Sequence, residues 1–318
     1  MTLPPISPRV RPAVLLLLAT LGLVGCFARP AAAAEWTVKT AANQFGDGRQ
    51  DFRYTVNPGG TVEDGIVVEN PGTTPLHLAL YGADAFTTAA GKLDLRAADA
   101  KATGVGVWAQ PSQADVTVPA NGSVEVPFAI TLPKDAKPGD YVGGIVTADA
   151  DQRVPIQIRL RVGGALKPSL AVEGVRVDYS GSANPLAKGD ATVTYAIHNT
   201  GNTILTAQQA VKVSGPFGRW AVRAPKVADT PTLLPGETWK ASASLDDVAP
   251  ALRLTASVTL VPLLTDAAGS TAPLAAIKAS GHAWIVPWAL LVAILVLLGL
   301  VVAALAYRRA GASRARVA

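Results

Sequence analysis

An uncharged run of 25 residues, Ala283 to Tyr307, is followed at once by Arg308 and Arg309. At about 1.5 Å per residue, such a run as a helix crosses the roughly 30 Å oily core of a bilayer. That demand removes it from any globular core and leaves the rest of the chain to fold without it. Trp284 and Trp288 stand at its front and Tyr307 at its back, where amphipathic rings favour the headgroup level. Arg308, Arg309, Arg314 and Arg316 assign residues 308–318 to the cytoplasm as a basic tail. The expected topology is a single-pass plasma-membrane protein. It is anchored in lipid through residues 283–307, with its N-terminal bulk outside the cell.

Residues 1–34 fit an export signal: Arg9 and Arg11, an apolar stretch from Val14 to Val24, and Ala32-Ala33-Ala34 before Glu35. Leu23-Val24-Gly25-Cys26 also resembles a lipobox. A second anchor at Cys26 is redundant beside the C-terminal run, so the plain signal is favoured. No other cysteine exists, so the exterior must be stabilised by its core and not by disulfides. Between Glu35 and Lys278 stand twenty-one basic and twenty-three acidic residues, a net charge of −2. The high overall pI comes from the ends of the chain. Nucleic-acid binding, which depends on clustered cations, is not supported.

The exterior reads as strands. Gly65–Glu69, Leu76–Tyr81 and Ser123–Ile130 are short, rich in apolar and β-branched residues, and bounded by Gly, Pro or Asn. In Val154–Val162 the apolar residues Val154, Ile156, Ile158, Leu160 and Val162 alternate with Gln157, Arg159 and Arg161. This pattern predicts one dry and one wet face of a sheet.

The second half repeats the first. Gly60 to Asn70 is followed by Pro-Gly72, and Gly189 to Asn199 by Thr-Gly201, with the same spacing of ten. Pro119-Ala-Asn-Gly122 and Leu234-Pro235-Gly236 then each introduce another strand. Asn70 and Asn199 are expected to close their turns with their side chains. Strand pattern stops near Gly163-Gly164. The predicted fold is all-β: two tandem immunoglobulin-like β-sandwiches, residues 35–164 and 165–264, then a stalk over 265–282 and the single membrane helix over 283–307.

Several stretches of the first half occur together in order: Phe52-Arg53-Tyr54-Thr55-Val56-Asn57-Pro58-Gly59-Gly60, Val67-Val68-Glu69-Asn70, Ala83 to Gly91, Phe128 to Pro133, and Lys137-Pro138-Gly139-Asp140-Tyr141-Val142-Gly143-Gly144-Ile145. In them the chain resembles the WxL-interacting protein family, in an actinobacterial form. The second half resembles that family only in architecture. The resemblance implies that the first sandwich binds peptidoglycan in the cell wall and that the second meets another surface protein. Tyr54, Pro58, Gly59, Asn70, Gly139, Tyr141, Gly143 and Gly144 match the family motifs and are expected to be structural.

No catalytic constellation is legible. His77, His198 and His282 share no motif, so no metal site is expected. There is no Gly-x-Ser-x-Gly elbow and no phosphate-binding glycine loop. Asp149-Ala-Asp151 reads as a solvated turn, not a calcium loop. The expectation is a non-enzyme without cofactors. Carbohydrate would be held on rings beside amides; the candidates are Trp36, Phe45, Tyr81, Phe86 and Trp108, each of which could instead fill the core. The principal reading is therefore a wall-binding surface protein. The alternative is a structural or protein-interaction module whose sheet edges accept a partner's strand, or which binds a WxL-type partner.

Overall fold

The computed structural model describes residues 36–181, 187–265, 271–285 and 288–314. The expected signal and Cys26 lie outside the described residues, as does the end of the basic tail. The first half contains β1 (Thr37–Thr40), β2 (Phe52–Val56), β3 (Thr61–Asn70), β4 (Leu76–Thr87), β5 (Leu93–Leu95), a helical turn α1 (Val105–Trp108), β6 (Ala109–Pro111), β7 (Asp115–Val118), β8 (Gly122–Thr131), β9 (Gly139–Ala148) and β10 (Arg153–Val162). One sheet runs β1-β3-β8-β6. The other runs β2-β10-β9-β4-β5, with β7 also on β4. The predicted alternation of β10 is realised: Ile156, Ile158, Leu160 and Val162 are buried, while Gln157, Arg159 and Arg161 face outward. Trp36, Phe52, Ile66, Phe128, Ile130 and Ile158 are among the side chains that fill the space between the two sheets.

The second half contains β11 (Leu170–Ser180), β12 (Gly189–Asn199), β13 (Leu205–Ser214), β14 (Val222–Arg223), β15 (Thr238–Val248), β16 (Arg253–Thr265), β17 (Thr271–Pro273) and β18 (Ile277–Trp284). Its sheets are β11-β12-β15 and β14-β13-β16-β17, with β18 also on β16. A separate core gathers Val193, Tyr195, Ile197, Leu205, Leu245 and Leu260. The protein is mostly β-sheet, as the sequence predicts.

Two expectations are corrected. The segment expected to be a stalk is not a tether: β17 and β18 hydrogen-bond to β16, with Leu264 opposite Ala272 and Ser257 opposite Ser280. Its alternation of half-buried Ile277, Ala279 and Gly281 with exposed Lys278, Ser280 and His282 is strand pattern, which composition alone disguises. The expected membrane span does not hold either. Its first residues, Ala283 and Trp284, belong to β18 and pair with Leu254 and Arg253. The chain turns helical later, as α2 (Trp288–Arg314). Among the described residues, no helix is long and apolar enough to cross a membrane. The lipid anchor and the single-pass plasma-membrane location are therefore withdrawn.

Candidate functional site between the two halves

The outward face of β10 does not meet bulk solvent along its whole length. Loops of the second half fold over it, and a small apolar cluster joins the two: Ala83, Ala85, Leu95, Val142 and Val146 pack with Leu234, flanked by Ile204. Polar bonds lock the junction. The Thr87 amide donates to Glu237 at 2.8 Å, and the Thr87 hydroxyl donates to the Thr232 carbonyl at 2.8 Å. The Asn202 amide group donates to the Pro138 carbonyl at 2.8 Å, and the Ile204 N–H donates to Asp140 at 3.1 Å. Bonds to a carboxylate, as at Glu237 and Asp140, are stronger than neutral ones.

Beside the junction opens a cleft of about 360 Å³, lined by Arg53, Arg159, Arg161 and Asp140 with Thr55, Thr206, Thr232 and Thr265. Parallel pairing of β2 with β10 sets Arg53 directly beside Arg159, and Thr55 beside Arg161. Arg53 forks onto Asp51 at 2.9 and 3.0 Å, and Arg161 forks onto Asp140 at 2.6 and 3.0 Å. Arg159 reaches Asp51 only at 3.8 Å. The hydrogen bond to the Asp140 carboxylate holds the Arg161 guanidinium above the ordinary arginine value.

Behind the cleft, Tyr54 turns inward onto a buried carboxylate. Asp64 accepts bonds from Arg49 at 2.7 and 3.0 Å, from the Gly65 N–H at 2.7 Å, and from the Tyr54 hydroxyl and Asn43. Burial works to raise the Asp64 pKa, but these donors outweigh it and hold the carboxyl below its ordinary value. Burial, reinforced by the same carboxylate, pushes the Tyr54 phenol far up. Arg49 also donates to the Ala41 carbonyl at 2.8 Å and lies over the Phe52 ring, which fixes the loop between β1 and β2.

The aromatic candidates do not form one platform. Trp36 is fully buried, its Nε1–H donating to Thr147 at 2.7 Å. Phe45 is exposed and packs edge-on against Tyr54 at 5.4 Å. Tyr81 is half-buried at the junction, and Phe86 lies under the Arg96 guanidinium. Trp108 packs edge-on against Tyr141 at 4.8 Å.

The motif positions shape the backbone. Pro58 and Gly59 make the β2–β3 turn, Gly59 at φ +79°. Gly139, at φ +147°, abuts the Asn202 carbonyl, and the Tyr141 hydroxyl donates to the Lys137 carbonyl at 3.0 Å. A Cβ on Gly143 would lie 2.5 Å from the Ala83 carbonyl oxygen, and one on Gly144 would lie 2.1 Å from that of Ile156. Asn70 donates to the Thr74 carbonyl at 2.8 Å and accepts from the Gly72 N–H at 2.9 Å.

Sequence reasoning missed the cleft. The alternation places Arg159 and Arg161 on one face, but nothing local announces that the second half covers it. His77 lies against Thr117, and His198 is 3.4 Å from Glu173. Asp149 accepts from the Asp151 and Gln152 amides and so caps a turn. Among the described residues no group of three His, Cys, Asp or Glu side chains could hold a metal ion. The cleft, with its arginines and threonines, can bind and orient a ligand.

No family model and no curated protein matches the chain. Solved structures similar in fold include the Pseudomonas aeruginosa CupB2 chaperone, at 13% identity and TM-score 0.32 over 75% of this chain and 99% of that one. The class 5 fimbriae chaperone CfaA is similar at 10% identity and TM-score 0.35, over 77% and 98%. A chaperone–tip adhesin complex of CFA/I fimbriae is similar at 9% identity and TM-score 0.39, over 78% and 98%. These scores are too low to carry a functional argument.

The expected membership of the WxL-interacting family is corrected here: no family model and no curated protein supports it. Peptidoglycan binding, inferred from that membership, is withdrawn with it. Of the residues that carried the resemblance, Gly59, Asn70, Gly139, Gly143 and Gly144 are turn or close-packing positions.

Proposed function

We propose that the protein is a non-catalytic interaction module that accepts an extended segment of a partner protein along β15. In this reading its halves are two tandem immunoglobulin-like sandwiches, a division supported by two sheets and a separate core in each. The observation that carries the proposal is the edge of β15. This strand is eleven residues long and pairs with β12 along its length. Among the described residues its other edge makes no backbone hydrogen bond. Ala241-Ser-Ala-Ser-Leu245 at its centre carries no charge and no proline. Lys240 guards one end of the strand and Asp246 and Asp247 the other, so the uncharged stretch left as a template for strand addition is Ala241–Leu245.

The other edges are closed or short. The first half ends its sheets on strands of three to five residues, one of them carrying Pro111. At the far side of the β15 sheet, β11 is covered by β18, where Gly281 passes close to the Val175 carbonyl. The module acts by binding and not by turnover.

The test exploits the alternation of a strand. Ser242 and Ala243 point their N–H groups to opposite sides, one to β12 and one to the free edge. A photo-crosslinking residue at Ser244, in the full chain within intact cells, is expected to give a discrete protein adduct. Of Ser242→Pro and Ala243→Pro, the variant that keeps the wild-type circular dichroism should lose that adduct. An undiminished adduct in that variant, or none in the wild type, refutes strand addition at β15.

A further inference from the structure

Three arginines face the cleft between the halves, and only two carboxylates answer them. Arg53 and Arg161 are each forked onto their own aspartate, Asp51 and Asp140. Asp140 also accepts from the Ile204 N–H, so its charge is spent within the fold. Arg159 stands between them. Its Nε is buried and, among the described residues, has no hydrogen-bond partner, while the nearest carboxylate oxygen is 3.8 Å away. Buried donors are rarely retained without a partner, and a guanidinium offers five of them in a fixed fork. Thr55, Thr206, Thr232 and Thr265 line the same cleft, and their hydroxyls can donate to an anion.

We propose that this cleft binds the carboxylate of an acidic peptide, with Arg159 as the fork that receives it. Three guanidiniums against Asp51 and Asp140 leave one positive charge over, which selects one anionic group. The fork geometry matches the two oxygens of a carboxylate, as both neighbouring arginines already demonstrate within the fold. A volume of about 360 Å³ exceeds a bare carboxylate and admits the side chain or chain end that carries it. The walls belong to both halves, β2 and β10 on one side and residues 204–206, 232 and 265 on the other. A ligand seated there would bridge them. This site is separate from the β15 edge, and it stands or falls without strand addition.

The experiment is calorimetric titration of the full chain with three peptides and one inorganic anion. The peptides are tetra-alanine with a free carboxyl terminus, its C-terminal amide, and the amide of Ala-Ala-Glu-Ala; the anion is inorganic phosphate. Binding of either carboxylate peptide, with none of the tetra-alanine amide, is the expected result. Which of the two binds distinguishes a chain end from an acidic side chain. Arg159→Gln should weaken that binding about tenfold or more, and Arg159→Lys should restore only part of it. Arg159 lies on the outer face of its sheet, so an unchanged melting temperature in both variants separates lost binding from lost fold. Phosphate binding without peptide binding, or peptide binding unaffected by Arg159→Gln, overturns the proposal.

Discussion

Asp64→Asn tests whether one buried carboxylate holds the entrance of the first sandwich together. The Asp64 side chain is fully buried and that of Arg49 is 17% exposed, and they meet at 2.7 Å. The substitution keeps the shape and removes the charge. Arg49 is left facing a neutral amide, and at least one of the donors now meets another donor. Breaking a buried pair in this way costs roughly 3–5 kcal/mol. Arg49 keeps some access to water, so about 3 kcal/mol is expected. For a unit of this size that is a fall in melting temperature of roughly 10 °C. Tyr54→Phe, which deletes one donor and leaves the charge pair intact, should cost about 1–2 kcal/mol.

The pH dependence has a definite sign. The folded pKa of Asp64 is depressed below 3.8. Its contribution is fully present above the unfolded value and is lost as pH falls through the folded one. Urea unfolding of wild type and Asp64→Asn should thus differ by a constant amount above about pH 5 and converge below about pH 4. A difference under about 1 kcal/mol at pH 7, or one that persists unchanged into acid, would refute the account of this cluster.

Phe217 and Trp220 hold left-handed backbone at φ +56° and +51°, and the Phe217 ring is fully exposed. Phe217→Gly should stabilise the fold by about 1 kcal/mol through relief of that conformation, read as a higher urea midpoint; a lower midpoint would show that the ring packs against something. Asn70→Ala and Asn199→Ala should each cost about 2–3 kcal/mol, because each leaves buried or part-buried carbonyls without their donor, and thermal unfolding of the two variants checks that the costs agree.

The two asparagines show what local sequence can reveal. Asn199 donates to the Thr203 carbonyl at 2.8 Å and accepts from the Gly201 N–H at 3.1 Å, repeating the Asn70 pattern four residues and two residues on. Each also reaches the strand-entry segment of its own half, Val118 and Pro119 in one case and Leu233 in the other. Spacing and residue type suffice to reveal these turns, since turn chemistry is local. The cleft is not legible in the same way, because it depends on Ile204 and Thr232 arriving over β10 from more than forty residues away. The stalk misleads for a related reason: Lys278, Ser280 and His282 alternate with Ile277, Ala279 and Gly281, but so short a period-two pattern of small residues is indistinguishable from a linker until β16 pairs with it. At the end of the chain, an apolar count sets the length of a run but not where strand yields to helix. Trp284 pairs with Arg253, whose guanidinium lies 5.9 Å from the indole.

That reassignment bears on where a partner can attach. Were residues 277–284 a free tether, β11 would present an open edge opposite β15, and the three-stranded sheet would be a template on both sides. With β18 lying against β11, one side is closed by the chain itself. β18 is held on β16 by an eight-residue register from Arg253↔Trp284 to Leu260↔Ile277, and its approach to β11 is close enough that position 281 admits only glycine. A Cβ there would lie 2.1 Å from the Val175 carbonyl oxygen. Edge pairing is indiscriminate in itself, because every backbone offers the same donors and acceptors. A module that binds by strand addition therefore needs one edge left open and the rest denied. The short strands of the first half, Pro111 and the glycine-fitted contact at β18 supply the denial, and the uncharged Ala241–Leu245 stretch of β15 is the edge that remains.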